Sequence, residues 1–226
     1  MRLSPRLKMM ADMVRPGVVV ADIGTDHAYL PIYLLKKHIC STAIAADIKQ
    51  GPLENARTSV ALANLGSKID VRLSDGLDRI EAHEAQDIII AGMGGILIVD
   101  LLARTPWLRD GEKRLLLQPM AHAELVREYL CKNGFKILFE QACFDDGRDY
   151  IALCASFQDS STQDVDPAYY YTGELPKTGN PAANKHIKRT TKHLTKRVNA
   201  LTESGRKPKE VARLQAILKD MPKHSV

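Results

Sequence analysis

Apolar residues along the chain recur in two rhythms. Short aliphatic runs of four to six positions alternate with longer stretches in which apolar side chains return every three or four residues. Val18, Val19, Val20 and Ala21, closed by the charge of Asp22, read as a strand covered on both faces. TAIAAD at 42–47, IDVRLS at 69–74, IIIAGMGG at 88–95 and RLLLQP at 114–119 repeat the theme. The stretches between them are helical. Leu3, Leu7, Met10, Met13 and Val14 predict an opening amphipathic helix capped by Ser4. Leu30, Leu34 and Leu35 predict a second, with Pro31 in its first turn, where a missing N–H costs least. A third starts at Gly51 and Pro52, carries Ala56, Val60 and Ala63 inward and is expected to stop at Gly66. Further helices fit 96–104 and the stretch from Leu125 through Val126 and Leu130 to Gly134.

The alternation then ends. FKILFEQACF and RDYIALCASF flank Asp145, Asp146 and Gly147, which predicts an antiparallel hairpin with Asp-Gly turn chemistry. From about Gln158 the composition shifts to Ser, Thr, Asp, Pro and Gly around Tyr169, Tyr170 and Tyr171, the signature of a linker or strap. Beyond it Ile187, Thr191, Leu194, Val198 and Leu201 alternate by four and three, as do Val211, Leu214, Leu218 and Met221 after a turn at Ser204, Gly205 and Pro208. Two helices should fold back on each other and lean on the body, since an isolated pair this short is marginal. The expected organisation is an α/β body over 1–158, a linker over 159–180 and an antiparallel helical, coiled-coil-like unit over 181–226.

Charge changes the picture of that last unit. The net charge of +5 hides +9 in residues 185–226, against −4 in the rest of the chain. A near-neutral body with a basic tail suits a polyanionic partner such as RNA. Lys188, Arg189, Lys192, Lys196 and Arg197 lie mostly off the apolar seam, where phosphates could meet them. Cys40, Cys131, Cys143 and Cys154 lack CxxC spacing and read as small buried residues, with no metal site expected. No apolar run approaches the roughly 20 residues that cross a bilayer, and MRLSPRLKMM lacks the core of a secretion signal. The expectation is a cytoplasmic protein without a membrane partner; nothing in the pattern fixes its oligomeric state.

The candidate chemistry lies where strands end. A strand running into a turn and a helix presents loop N–H groups and a positive helix end to a ligand beyond the strand's carboxyl edge. A dinucleotide site wants GxGxxG, and only Gly24 is present here. The looser pattern of S-adenosylmethionine enzymes fits partly: Asp22 and Gly24 match, while Asp26 and Ala28 stand at later glycine positions. A carboxylate at Asp26 repels a pyrophosphate but suits the amino group or sulfonium of that donor. Asp47, about 20 residues on, stands where a carboxylate holds ribose hydroxyls, and Asp75 with Gly76 adds a third acid at the same edge, suited to an adenine amino group. Gly92, Gly94 and Gly95 permit close backbone approach, either to a ligand or only for a tight strand-to-helix turn. Five βα units closed by a hairpin describe a Rossmann-like methyltransferase better than a dehydrogenase.

With these residues in view, the sequence resembles the bacterial tRNA (adenine-N1)-methyltransferases that modify position 22, the TrmK family. LSPRL, ADIGTDHAYLP, the GP after the second strand, SDGL, IIIAGMGG and LQP carry the likeness, which covers nearly the whole body. Asp47 stands where many relatives have Glu, and 158–180 fits no pattern of the family. The resemblance implies a class I methyltransferase domain with a helical carboxyl-terminal unit, S-adenosylmethionine as donor and tRNA as partner. It also implies donor contacts from Asp22, Gly24, Thr25, Asp26, His27, Asp47, Ile48, Asp75, Gly76, Ala91 and Gly92. The place where many amino-methylating enzymes carry Asn or Asp, Pro, Pro and an aromatic reads Ala91, Gly92, Met93 and Gly94. The base is therefore expected to meet backbone groups of Ala91, Gly92 and Met93, aided by Tyr29 or His27. Tyr29 serves equally well as helix packing and His27 as a local hydrogen-bonding residue. Other readings of the same features are a methyltransferase acting on another RNA or a small molecule, and a non-catalytic RNA-binding protein with this fold.

Overall fold

A computed structural model describes residues 2–159 and 165–222. Residues 160–164 of the expected linker and 223–226 of the expected helical unit lie outside them. The elements follow the order α1 (Pro5–Asp12), β1 (Val19–Ile23), α2 (Tyr29–Lys36), β2 (Thr42–Asp47), α3 (Gln50–Leu62), β3 (Ile69–Leu73), β4 (Asp87–Met93), α4 (Gly95–Ala103), β5 (Arg114–Pro119) and α5 (Ala123–Lys132). Then come β6 (Phe135–Asp145), β7 (Arg148–Phe157), a single turn α6 (Tyr169–Thr172), α7 (Pro181–Glu203) and α8 (Pro208–Asp220).

The strands form one sheet in the order β3-β2-β1-β4-β5-β7-β6. The first five are parallel and β7 runs antiparallel to both its neighbours. The sheet reverses its winding between β1 and β4, and it is at such a switch point that ligands lie beyond the strand ends. The aliphatic runs are continuous because both faces are covered. Val20, Ala45, Ile89 and Leu116 pack under Met10, Leu34 and Val60 of α1, α2 and α3. Ala21, Ile44, Ile90 and Leu117 pack on the other side under Ile98, Leu101, Val126 and Leu130 of α4 and α5.

Several local expectations hold for the reasons given. The Ser4 side chain accepts from the Leu7 N–H at 3.4 Å and starts α1. Asp146 and Gly147, both with positive φ (46° and 73°), form the two-residue loop between paired Asp145 and Arg148. The end of α3 differs from expectation. The helix stops at Leu62, and Asn64, not Gly66, takes the left-handed conformation (φ 56°). Asn tolerates that region better than other non-glycine residues, so the chain had already left the helix before the glycine.

Residues 165–180 lie against the body. The buried guanidinium of Arg127 donates to Glu140 at 2.8 Å and to the Tyr170 carbonyl at 3.0 Å, while Glu140 also accepts from the Glu174 N–H at 2.8 Å. Helix α7 continues the attachment: Ala182, Ala183 and Ile187 join Ala142 and Ile151 of the hairpin in a third core, which extends through Leu194, Val198, Leu214 and Ile217 to pair α7 with α8. His186 and Arg189 reach Asp149 at 2.9 and 2.8 Å from the same side. Cys40, Cys131 and Cys154 are buried and all four cysteines are free thiols. No helix among the described residues is long and apolar enough to cross a membrane.

Candidate active site

The carboxyl ends of β1, β2 and β4 make one surface. Gly24 turns the chain at the end of β1 with φ 79°, and the N–H groups of Gly24 and Thr25 both donate to the Ala46 carbonyl, at 2.8 and 3.0 Å. A Cβ on Gly24 would lie 2.4 Å from the Met93 Cε, so this turn and the end of β4 touch through the glycine's bare face. Glycine is required here by its positive φ, while the Met93 methyl, at the free end of a flexible side chain, would give way to a Cβ. Ala28 then takes a left-handed φ of 52° and α2 begins at Tyr29 without a side-chain cap. The leading N–H groups of α2 are left unclaimed by any such cap beside the acidic edge.

The acids differ in their surroundings. Asp22 is buried, 8% exposed. Desolvation raises its carboxyl to about 6, against a lowering by the Thr25 hydroxyl, and the charge of Asp47 adds to the rise. Asp22 and Asp47 are therefore neighbours in one electrostatic environment. Asp47 accepts from the Lys49 N–H at 2.7 Å through Oδ1, and its own carbonyl accepts from the Ser74 N–H at 3.0 Å, tying the end of β2 to that of β3. Ile48 beside it is exposed. Asp75 sits farther along the edge and is already engaged, since Arg104 of the α4 end holds its Oδ1 and pairs with Asp78 at 2.7 Å. Oδ2 of Asp75 has no hydrogen bond among the described residues. Gly76 is crowded, with Leu101 Cδ2 at 2.2 Å from where a Cβ would stand. Asp26 lies 3.5 Å from His27, whose ring stacks on that of Tyr29 at 4.9 Å between centroids and 8° between planes. Tyr29 is 44% exposed, so its far face is available to a flat partner.

The three glycines after β4 divide the two roles left open for them. Gly95 serves packing: its N–H donates to the Ala121 carbonyl at 2.7 Å, and a Cβ would lie 2.2 Å from the His122 carbonyl oxygen. Gly94 faces open space. Gly92, at φ 81°, donates its N–H to Oε1 of the fully buried Gln118 at 3.1 Å, and Arg6 Nη1 shares that acceptor at 2.8 Å. Arg6, Gln118 and Arg104 escape a reading of the sequence alone. Arg6 and Gln118 stand 112 residues apart within LSPRL and LQP, where local pattern marks only a helix start and a strand end. A surface groove of about 670 Å³ lined by Thr42, Arg57, Lys68 and Arg72 lies elsewhere and holds none of these acids.

On α7, Lys188, Lys192 and Lys196 are exposed. Arg189 and Arg197, expected to be free, are partly spent: Arg189 pairs with Asp149, and Arg197 with Glu210 of α8. Pairing follows from α7 packing on the hairpin end and on α8, which brings carboxylates distant in sequence beside it.

The methyltransferase domain family matches residues 3–153. The tRNA (adenine(22)-N(1))-methyltransferase of Bacillus subtilis is 43% identical over 159 residues, 70% of this chain and 67% of that one. The crystal structure of the B. subtilis M1A22 tRNA methyltransferase TrmK superposes with a TM-score of 0.86 at 35% identity, covering 97% of this chain and 98% of that one. This chain belongs to the TrmK family. The sequence match covers 70% of this chain, whereas the structural match covers 97%. Sp1610 of Streptococcus pneumoniae, solved in complex with S-adenosyl-L-methionine, gives a TM-score of 0.81 at 30% identity over 96% of this chain and 100% of that one.

A buried acid poised near 6 predicts a pH dependence. With the site empty, Asp22 is mostly protonated below about 6, and a cationic donor favours its ionised form. Where Asp22 meets the donor's cationic end, binding is expected to release a proton below that value. Calorimetric affinity for S-adenosylmethionine should rise from pH 5 to 7 and then level off, and Asp22→Asn should flatten the rise. A wild-type affinity constant over this range would refute the assignment.

Proposed function

We infer that this chain is an S-adenosylmethionine-dependent methyltransferase acting on N1 of an adenine in tRNA, at position 22 of the D-arm. The observation that carries the reading is the acidic rim at the ends of β1 and β2, set against the Gly24–Met93 contact in a TrmK-family fold.

Bound there, the donor supplies a methyl group on a cationic sulfur. The N1 lone pair lies in the plane of the base, so attack needs alignment more than a base, and positioning can contribute several kcal/mol to such a displacement. Asp22 and Asp26 answer the positive end of the donor, Asp47 the ribose hydroxyls and Asp75, through Oδ2, the adenine amine. Gly24, Thr25, His27, Ile48, Gly76, Ala91 and Gly92 complete the donor's surroundings in this assignment. The backbone of Ala91, Gly92 and Met93 receives the target base, and the exposed face of Tyr29, backed by His27, offers it a surface to stack on. Extruding that base from tRNA costs a few kcal/mol, which contacts to the RNA backbone must offset. Lys188, Lys192 and Lys196 are placed to make them, with the outer edges of Arg189 and Arg197. In this division residues 1–158 hold donor and base, 181–226 grip the RNA, and 159–180 join them. A tRNA substrate places the work in the cytoplasm.

Nucleoside mass spectrometry of unmodified tRNA incubated with protein and donor tests the reading. The expected product is 1-methyladenosine at a single site, lost when the adenine at position 22 is replaced. Methylation of another RNA or of a small molecule, or no donor binding at all, would overturn it.

A further inference from the structure

Arg6, in the first turn of α1, is a half-buried cation whose guanidinium meets no carboxylate among the described residues. Arg15, Arg72, Arg104 and Arg127 each set a guanidinium nitrogen on a carboxylate at 2.7–2.8 Å, those of Asp87, Glu84, Asp78 and Glu140. Arg6 instead gives Nη1 to the neutral Gln118 at 2.8 Å and lies over the Tyr150 ring at 5.8 Å. Asp145 approaches the same turn but accepts from the Arg6 backbone N–H, at 3.2 Å. Among the described residues no carboxylate pairs with its guanidinium.

Its position gives the vacancy meaning. Gln118 Oε1 binds both Arg6 Nη1 and the Gly92 N–H, at 2.8 and 3.1 Å, so the cation is held at a fixed place relative to the loop that follows β4. A Cβ on Gly92 would stand 3.5 Å from Nη1. Partial burial of a guanidinium without a counter-charge costs solvation that the ring contact with Tyr150 returns only in part. The reaction assigned to this site offers Arg6 no relief from the reacting atoms, because the positive charge only moves from sulfur to the methylated adenine. The anion that Arg6 lacks among the described residues is one that an RNA substrate carries. An RNA brings one at every nucleotide, and the planar fork of an arginine matches a phosphate in two hydrogen bonds.

We propose that Arg6 is a positioning residue that takes the phosphate adjoining the extruded adenosine and so sets N1 against the Ala91–Met93 loop. The proposal rests on the tRNA methyltransferase reading of the same site. It adds a contact at the reaction mouth to those on α7, which lies across the β6–β7 end from α1.

The test compares Arg6→Gln and Arg6→Lys with the wild type in tRNA methylation over a range of salt concentrations, with donor affinity measured separately by calorimetry. Arg6→Gln keeps a donor for Gln118 and removes the charge. It should raise the tRNA KM about tenfold and lower the slope of log KM against log salt by about one, the loss of one phosphate contact, with donor affinity unchanged. Arg6→Lys should restore the slope but not the whole KM, since an ammonium lacks the fork. An unchanged slope and KM in Arg6→Gln, or a loss confined to donor affinity, would overturn the proposal and leave Arg6 as a brace for the loop. A wild-type protein inactive on tRNA while still binding the donor would overturn the functional reading as well, before any variant is compared.

Discussion

Arg127→Ala should destabilise the protein by about 3–5 kcal/mol, the usual result of removing one member of a buried ion pair. Arg127 is 1% and Glu140 3% exposed, so the carboxylate left behind would have neither water nor a counter-charge. Its Oε2 would keep the Glu174 N–H at 2.8 Å, which does not offset an ionised group in an apolar surround. The packing around it is already close: a Cβ on Gly173 would stand 2.2 Å from Glu140 Oε2 and 2.4 Å from Arg127 Nε, leaving little room to rearrange. Residues 165–180 should loosen first, because Arg127 also holds the Tyr170 carbonyl at 3.0 Å. Urea denaturation followed by circular dichroism measures the loss, and the Tm should fall by on the order of 10 °C. The double replacement Arg127→Met with Glu140→Leu should recover most of it, because the charges leave together. A loss under about 1 kcal/mol for Arg127→Ala would mean that water reaches the pair.

Asp47→Ala should weaken S-adenosylmethionine binding about a hundredfold. A carboxylate holding two ribose hydroxyls makes two charge-assisted hydrogen bonds, worth about 1.5–3 kcal/mol each before solvation is counted, and every 1.4 kcal/mol is a factor of ten. The protein itself should barely notice, since the bond lost is an exposed one to the Lys49 N–H. Calorimetry against both S-adenosylmethionine and S-adenosylhomocysteine separates this role from that of Asp22. The ribose is common to the two ligands, so Asp47→Ala should weaken both alike. Asp22→Asn should weaken the sulfonium compound more than the neutral thioether. Equal affinity of wild type and Asp47→Ala for either ligand would remove Asp47 from the donor site.

Much of this molecule is legible in one dimension because its signals are local. A strand covered on both faces must be aliphatic throughout, so IIIAGMGG and VVVAD announce themselves. The Asp146–Gly147 turn is equally local, since two consecutive positive φ angles demand such residues. The glycines after β4 were legible only as a group. Which of them serves packing depends on the Ala121 and His122 carbonyls, supplied by the next strand and helix. The tail shows the same limit. The heptad-like spacing in 187–221 predicted two packed helices, but it did not place α7 against Ala142 and Ile151. Nor did it show that Asp149 and Glu210 would draw in Arg189 and Arg197.

The sequence by itself determined the alternation of strands and helices, the acids at the strand ends and the basic character of the last 42 residues, because hydrophobic period, turn chemistry and charge are properties of neighbouring positions. Only the tertiary structure decided which charges are spent and which are open. Asp22 is raised by burial, Asp75 is held by Arg104, Arg127 is consumed by Glu140, and Arg6 is left beside Gly92 with a neutral partner. Each of these depends on groups that meet only when strands 3-2-1-4-5 come side by side, and the energy of a charge is set by what surrounds it in space rather than by what precedes it in the chain.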